Sequence, residues 1–216
     1  PASERPEDYE RINRSANQIA LPLHADDTTT LALMAHLISE RREPMFSRVR
    51  GIFSNLIATK YFKPGFDAVR EEAFRNSGDY TGEFAEGTAL LALSRVGSAR
   101  DLRRMRSQLE ASIAKGGYSH LRSDLFTAIG QLVARLYPIG SASRDEWLRW
   151  LEGFCAHPTP QQKETDCPSL AARALGIAGT AESKALLQSL IRADEPLNGS
   201  FAWAISDIEA RLSRGP

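Results

Sequence analysis

Three short segments of this 216-residue chain read alike. They are Val96-Gly97-Ser98-Ala99-Arg100, Ile139-Gly140-Ser141-Ala142-Ser143 and Ala178-Gly179-Thr180-Ala181-Glu182. Each follows a Leu- and Ala-rich stretch and precedes one whose first turn is charged. A glycine that ends a helix takes left-handed backbone without a Cβ penalty, and a nearby Ser or Thr caps the next helix. A short turn of this kind folds two helices into an antiparallel hairpin. All three glycines are expected in inter-helix turns, at least two of them with positive φ. Positions 97, 140 and 179 recur at roughly forty residues, a spacing that points to stacked helix pairs.

The apolar pattern agrees. Val49, Ile52, Phe53, Leu56 and Ile57 share one helix face. So do Leu121, Leu125, Ala128, Ile129, Leu132 and Leu136, and again Phe201, Ala204, Ile205, Ile208 and Leu212. No stretch alternates apolar and polar between hairpin turns, so no strand is predicted and the class is all-α. Ser143-Arg144-Asp145-Glu146 has the form of a capping box, and Ser98 precedes Asp101 at the same spacing. Lys63-Pro64-Gly65, Gly116-Gly117 and Glu195-Pro196 interrupt helices. Helices are predicted near 5–18, 29–42, 45–60, 66–76, 83–96, 99–114, 119–137, 143–155, 168–178, 181–193 and 199–213. The whole chain, 1–216, is expected to form one domain. Cap helices occupy 1–44, helix-pair repeats 45–198, and a C-terminal cap helix 199–213.

The clearest unit runs from Ala171-Ala172-Arg173-Ala174-Leu175-Gly176-Ile177-Ala178-Gly179 into Ala185-Leu186-Leu187 and Leu190. It resembles a HEAT-like (armadillo-type) repeat: a small-residue helix, a Gly turn and a Leu-rich helix. The resemblance spans roughly 83 to 213, with 45 to 76 as an earlier, degenerate unit. It implies a right-handed solenoid of stacked antiparallel helix pairs with helical caps and a groove-like binding face. It implies no chemistry, since a fold does not dictate an activity.

Composition narrows the function classes. The chain is 42% hydrophobic and 25% charged, ordinary for a globular protein. Its 27 basic residues balance 27 acidic ones, whereas nucleic-acid binders usually carry a basic excess. Nucleic acid therefore ranks below protein as a partner. The longest apolar run, Leu31 to Ile38, is interrupted by His36 and is too short to span a bilayer. Pro1 to Pro6 hold no apolar leader core. A chain that starts this way has either lost a leader or been trimmed.

Cys155 and Cys167 flank a polar segment with two prolines, Pro158 and Pro160. It reads as a loop, and a disulfide across it is expected, which would place the protein in the periplasm or outside the cell. The alternative is two free thiols, with Cys155 packed behind Phe154, and a cytoplasmic protein.

No catalytic constellation is found. His24, His36, His120 and His157 show no metal-ligand spacing, and Cys155, His157 and Cys167 fall one ligand short of a structural zinc site. No phosphate cradle or nucleophile motif is present, and no metal or cofactor is expected. Glu71, Glu72, Asp79, Glu83, Glu86, Asp145, Glu146 and Glu152 do not converge by spacing. Glu83 and Glu86 are read as first-turn carboxylates that favour the helix dipole. Asn13-Arg14-Ser15 and Asn198-Gly199-Ser200 match the glycosylation sequon. Trp147, Trp150, Leu151 and Phe154 form a stripe expected in the core, and Trp203 is expected to pack likewise. Leu102, Met105 and Leu109 mark the buried face of their helix. Arg100, Arg103, Arg104 and Arg106 are thereby left outside, either solvated or as a docking patch for an acidic partner.

Two functions of different class follow. One is a non-catalytic protein-binding module, such as an exported adaptor or an immunity-type inhibitor. The other is an enzyme on a HEAT-like scaffold, resembling the alkylpurine DNA glycosylases or the bilin lyases. A concave surface with clustered Arg and Trp would favour the glycosylase; a patchy or acidic concave face would favour protein binding.

Overall fold

The computed structural model describes residues 28–40, 47–76, 80–117, 119–191 and 197–214. Among these, 84% are helical and none lies in a strand, so the chain is all-α as expected. It divides into two compact units, residues 1–96 and 97–216. The helix predicted at 5–18 lies outside the described residues.

The first unit holds α1 (Thr28–Ser39), α2 (Ser47–Thr59), α3 (Phe66–Ala73) and α4 (Tyr80–Val96). A 3-10 turn over Lys63–Gly65 joins α2 to α3, where proline and glycine were expected to interrupt helices. α4 packs on α2 and α3, and α1 packs on the same two helices. Leu31, Met34, Ile38, Ile57, Val69 and Leu90 fill the core between them. Gly51 lets α2 approach α4 closely: a Cβ there would lie 3.0 Å from Thr88 Cβ.

A charged group sits inside this core. Arg50 Nε lies 3.1 Å from each oxygen of Glu72, and Arg75 Nη2 lies 2.8 Å from Glu72 Oε2. Arg75 also donates to the Ile38 carbonyl at 3.1 Å, closing the end of α1. Burial pushes the Glu72 carboxyl above its ordinary range, while Arg50 and Arg75 pull it down. Glu86 is buried too, and its negative charge adds to the upward push on Glu72. Glu86 therefore does not serve as an exposed first-turn carboxylate, because α4 starts at Tyr80 and its second turn faces the core.

The second unit holds α5 (Ala99–Lys115), α6 (His120–Leu136), α7 (Ala142–Ala156), α8 (Pro160–Glu164), α9 (Cys167–Ala178), α10 (Ala181–Leu190) and α11 (Asn198–Ser213). Helices α6, α9 and α11 pack in succession. α5 lies on α6, α7 on α9, and α10 on both α7 and α11. α9 is the centre, and its composition explains why. Ala171, Ala172, Ala174, Gly176 and Ala178 are all buried, so three neighbours can approach one helix closely. At the α6–α9 crossing, a Cβ on Gly130 would lie 2.8 Å from the Ala174 carbonyl oxygen.

Helices that follow one another between the glycine turns, α5 with α6, α7 with α9, and α10 with α11, do pack, but the most extensive packing is of α9 on α6 and on α11. The Gly179 turn does not close a hairpin, because α9 packs on α6, α7 and α11 rather than on α10, the helix that follows it. The φ values of the three turn glycines also differ from expectation: only Gly140 is positive, at 78°. Gly179 has φ −64° and is required by crowding instead. A Cβ there would meet the Leu175 carbonyl oxygen at 2.5 Å and Ser183 Cβ at 3.0 Å.

Arginines close the helix ends at these turns. Arg135 donates to the Gly97 carbonyl and Arg211 to the Gly179 carbonyl. Arg144 is buried and reaches the carbonyls of Tyr137 at 2.9 Å and Ala178 at 2.6 Å. Arg122, also buried, donates to the carbonyls of Ser112 and Gly116. Carbonyls at helix C-termini have no partner within the helix, and a buried one left unsatisfied is costly. The Ser98–Asp101 cap forms as expected, with the Ser98 amide 2.8 Å from Asp101 Oδ2. The cap of α7 is Ser141, not Ser143, since its hydroxyl accepts from the Arg144 amide at 3.3 Å.

Cys155 and Cys167 are free and buried, so the expected disulfide is not formed. The segment between them is not a plain loop. It contains α8, opened by a Thr159–Gln162 capping box. Each thiol has its own partner: Cys155 Sγ lies 3.6 Å from the Pro168 carbonyl, and Cys167 Sγ lies 3.2 Å from Thr165 Oγ1. The argument for an oxidising compartment goes with the disulfide. Burial, and then Glu152, push the Cys155 thiol up to about 12. A thiol of that acidity is almost wholly protonated at neutral pH and a poor nucleophile. In the native protein we expect neither thiol to react with Ellman's reagent near pH 8 within minutes. In denaturant without reductant, both should titrate. A single fast native thiol, or none after unfolding, would contradict this assignment.

Candidate functional site

Because α9 buries nearly every residue, the one long charged side chain it exposes stands out. Arg173 projects from the outer side of the α6–α9–α11 row. Its guanidinium lies 5.9 Å from the centroid of the Trp203 ring on α11. Its Nη1 lies 3.4 Å from Ser123 Oγ on α6. One arginine thus spans three helices. Beside it is an open groove of about 570 Å³, lined by Asp166, Ser169, Leu170, Arg173, Ser200 and Trp203.

Trp203 is 52% exposed, which corrects the expectation that it packs in the core. The reason is its place on α11. Phe201, Ala204, Ile205 and Ile208 take the buried face, and Trp203 falls on the opposite side. Asp124 stands on α6 next to Ser123. Burial raises its carboxyl above the ordinary range, and the neighbouring His120 and Arg173 pull it back. Asp207 lies along the same α9–α11 seam, where a Cβ on Gly176 would meet its carboxylate at 3.4 Å. The face therefore mixes one arginine and one tryptophan with three carboxylates, Asp124, Asp166 and Asp207. It is patchy rather than basic.

The arginine cluster predicted on α5 divides. Leu102, Met105 and Leu109 are fully buried, and Arg100, Arg103 and Arg104 are exposed, as their helix phase requires. Arg106 is half-buried. It lies over the Trp150 ring at 4.9 Å and the Trp147 ring at 5.7 Å, and pairs with Glu110 at 2.9 Å. Trp147, Leu151 and Phe154 are core residues as expected, and Trp150 is half-buried between Arg106 and its aromatic neighbours.

No family model matches this chain, and no curated protein or solved structure is significantly similar to it.

A second open groove, of about 440 Å³, lies by Ile139, Asp145, Leu148, Arg149, Glu152 and Thr180. It has no aromatic anchor. Among the described residues, no group of three or more His, Cys, Asp or Glu is placed to hold a metal ion. Among the same residues, no helix is long and apolar enough to cross a membrane. Sequence reasoning missed Asp124, Arg173 and Trp203 as a set. They stand 49 and 30 residues apart in the chain, and only the packing of α6, α9 and α11 brings them together. The available signal was Arg173, a lone charge inside an otherwise small and apolar helix.

Proposed function

We propose that residues 99–213 form a HEAT-like stack of three helix pairs, and that its α6–α9–α11 face docks another protein without catalysing a reaction. The observation that carries this reading is the patchy charge of an open groove, where a single arginine, Arg173, and the half-exposed Trp203 stand among Asp166 and Asp207. Trp and Arg are the residues over-represented among interface hot spots, where a large ring and a planar cation lose little entropy on docking. The stack itself draws support from the recurrence of glycine turns, each closed by an arginine, ahead of successive helix pairs. An adaptor and an immunity-type inhibitor both fit this class.

An enzyme of the DNA glycosylase kind is the second reading. Asp124, a carboxyl made less acidic by burial and set near Arg173, is the observation in its favour. Against it stands the charge of the face, where Asp166 and Asp207 would repel phosphates.

The test compares affinity capture by wild type, Trp203→Ala, Arg173→Ala and the control Arg149→Gln. A protein retained by wild type and control, and lost with either groove variant, supports docking at this face. Equal capture by all four rejects it. Release of alkylated base from duplex DNA, abolished by Asp124→Asn, would replace it with the enzyme reading. Trp203→Ala should leave melting almost unchanged, because its ring is not part of the core.

A further inference from the structure

We propose that the exposed side of α5 is a second docking surface, built for an acidic segment of a partner protein. Arg100, Arg103 and Arg104 are exposed at the N-terminal end of α5, and Ser107, Ala111 and Ala114 continue the same stripe. The side chains of Arg100 and Arg103 make no hydrogen bond or ion pair among the described residues.

Helix phase puts these positions in water, but it does not call for cations there. The N-terminus of a helix is its positive end, where cations are unfavourable and carboxylates favourable. Arg100 lies three residues from Arg103 and four from Arg104, the spacings at which like charges on a helix repel. The one acidic residue in that turn, Asp101, accepts from the amide and hydroxyl of Ser98. Arg106 differs from Arg100 and Arg103, since Glu110 and two tryptophan rings account for it. A partner's carboxylates, laid along this end of α5, would relieve both the repulsion and the conflict with the helix dipole. The small side chains beyond the arginines let a polypeptide lie close to the helix.

The test uses the full chain, fluorescein-labelled polyglutamate as probe, and an oligothymidylate of equal charge as comparison. Wild type is expected to bind polyglutamate in a salt-sensitive way. Arg100→Gln with Arg103→Gln should weaken that binding by roughly fivefold, the loss expected of two exposed ion pairs. The double variant should melt no lower than wild type, because only repulsive charges were removed. Arg149→Gln, at an exposed arginine on α7, should bind like wild type. Unchanged polyglutamate affinity in the double variant would overturn the proposal. So would tighter binding of the oligothymidylate, equal loss with Arg149→Gln, or lower melting of the double variant.

Discussion

Gly130→Val is expected to destabilise the second unit by about 3 kcal/mol, at the upper end of typical overpacking costs. That corresponds to a fall in Tm on the order of 10 °C for a unit of this size. The cause is local. A Cβ at 130 would lie 2.8 Å from the Ala174 carbonyl oxygen and 3.0 Å from Ala174 Cα. Both atoms belong to the backbone of α9, so no side chain can rotate away. α9 cannot retreat either, because α7 and α11 hold it from other sides. Gly130→Ala makes the competition explicit. Alanine gains about 1 kcal/mol over glycine in a helix interior, while overpacking costs about 1–3 kcal/mol. Against backbone atoms the steric term should win, so Gly130→Ala should also melt lower. Gly153 in α7 is the control, since a Cβ there would meet nothing within 4 Å. Gly153→Ala should therefore gain about 0.5–1 kcal/mol. If both alanine variants raise Tm alike, α6 and α9 do not cross as closely as described.

Glu72→Ala is expected to cost about 3–5 kcal/mol, the range for removing one member of a buried ion pair. Arg50 is only 6% exposed and would be left without its carboxylate. Arg75 would keep the Ile38 carbonyl but lose its own pair. Urea unfolding followed by circular dichroism measures the loss. A midpoint equal to wild type would show that the cluster contributes nothing. Arg50→Met combined with Glu72→Leu should recover part of it, because a buried pair replaced by packed apolar groups is often neutral. The pH dependence has a definite sign. Burial raises Glu72 above its ordinary value of 4.5, so the folded protein holds this proton more tightly than the unfolded chain does. The associated stability is fully present below 4.5 and is lost as pH rises through the folded value. Relative to Glu72→Gln, wild type should weaken over that rise.

Much of the fold was legible along the chain, because local chemistry decides it. Apolar residues three and four apart placed nearly every described helix within a few residues of its position. Ser98 and Asp101 announced the cap of α5, and Leu102, Met105 and Leu109 announced its buried side, which left Arg100, Arg103 and Arg104 in water. Each of these is settled within one or two helical turns. Three matters were decided only by tertiary packing. The Gly179 turn closes no hairpin, because α9 turns to α6 and α11 rather than to the helix that follows it. Glu72 is a core residue, because Arg50 from another helix and Arg75 one turn on make its burial tolerable. Trp203 is exposed and joins Arg173 and Asp124 in one site, since α6 and α11 flank the same small-residue helix. Periodicity tells which side of a helix is apolar. It does not tell which helix will lie against that side, and the candidate site is made of that choice.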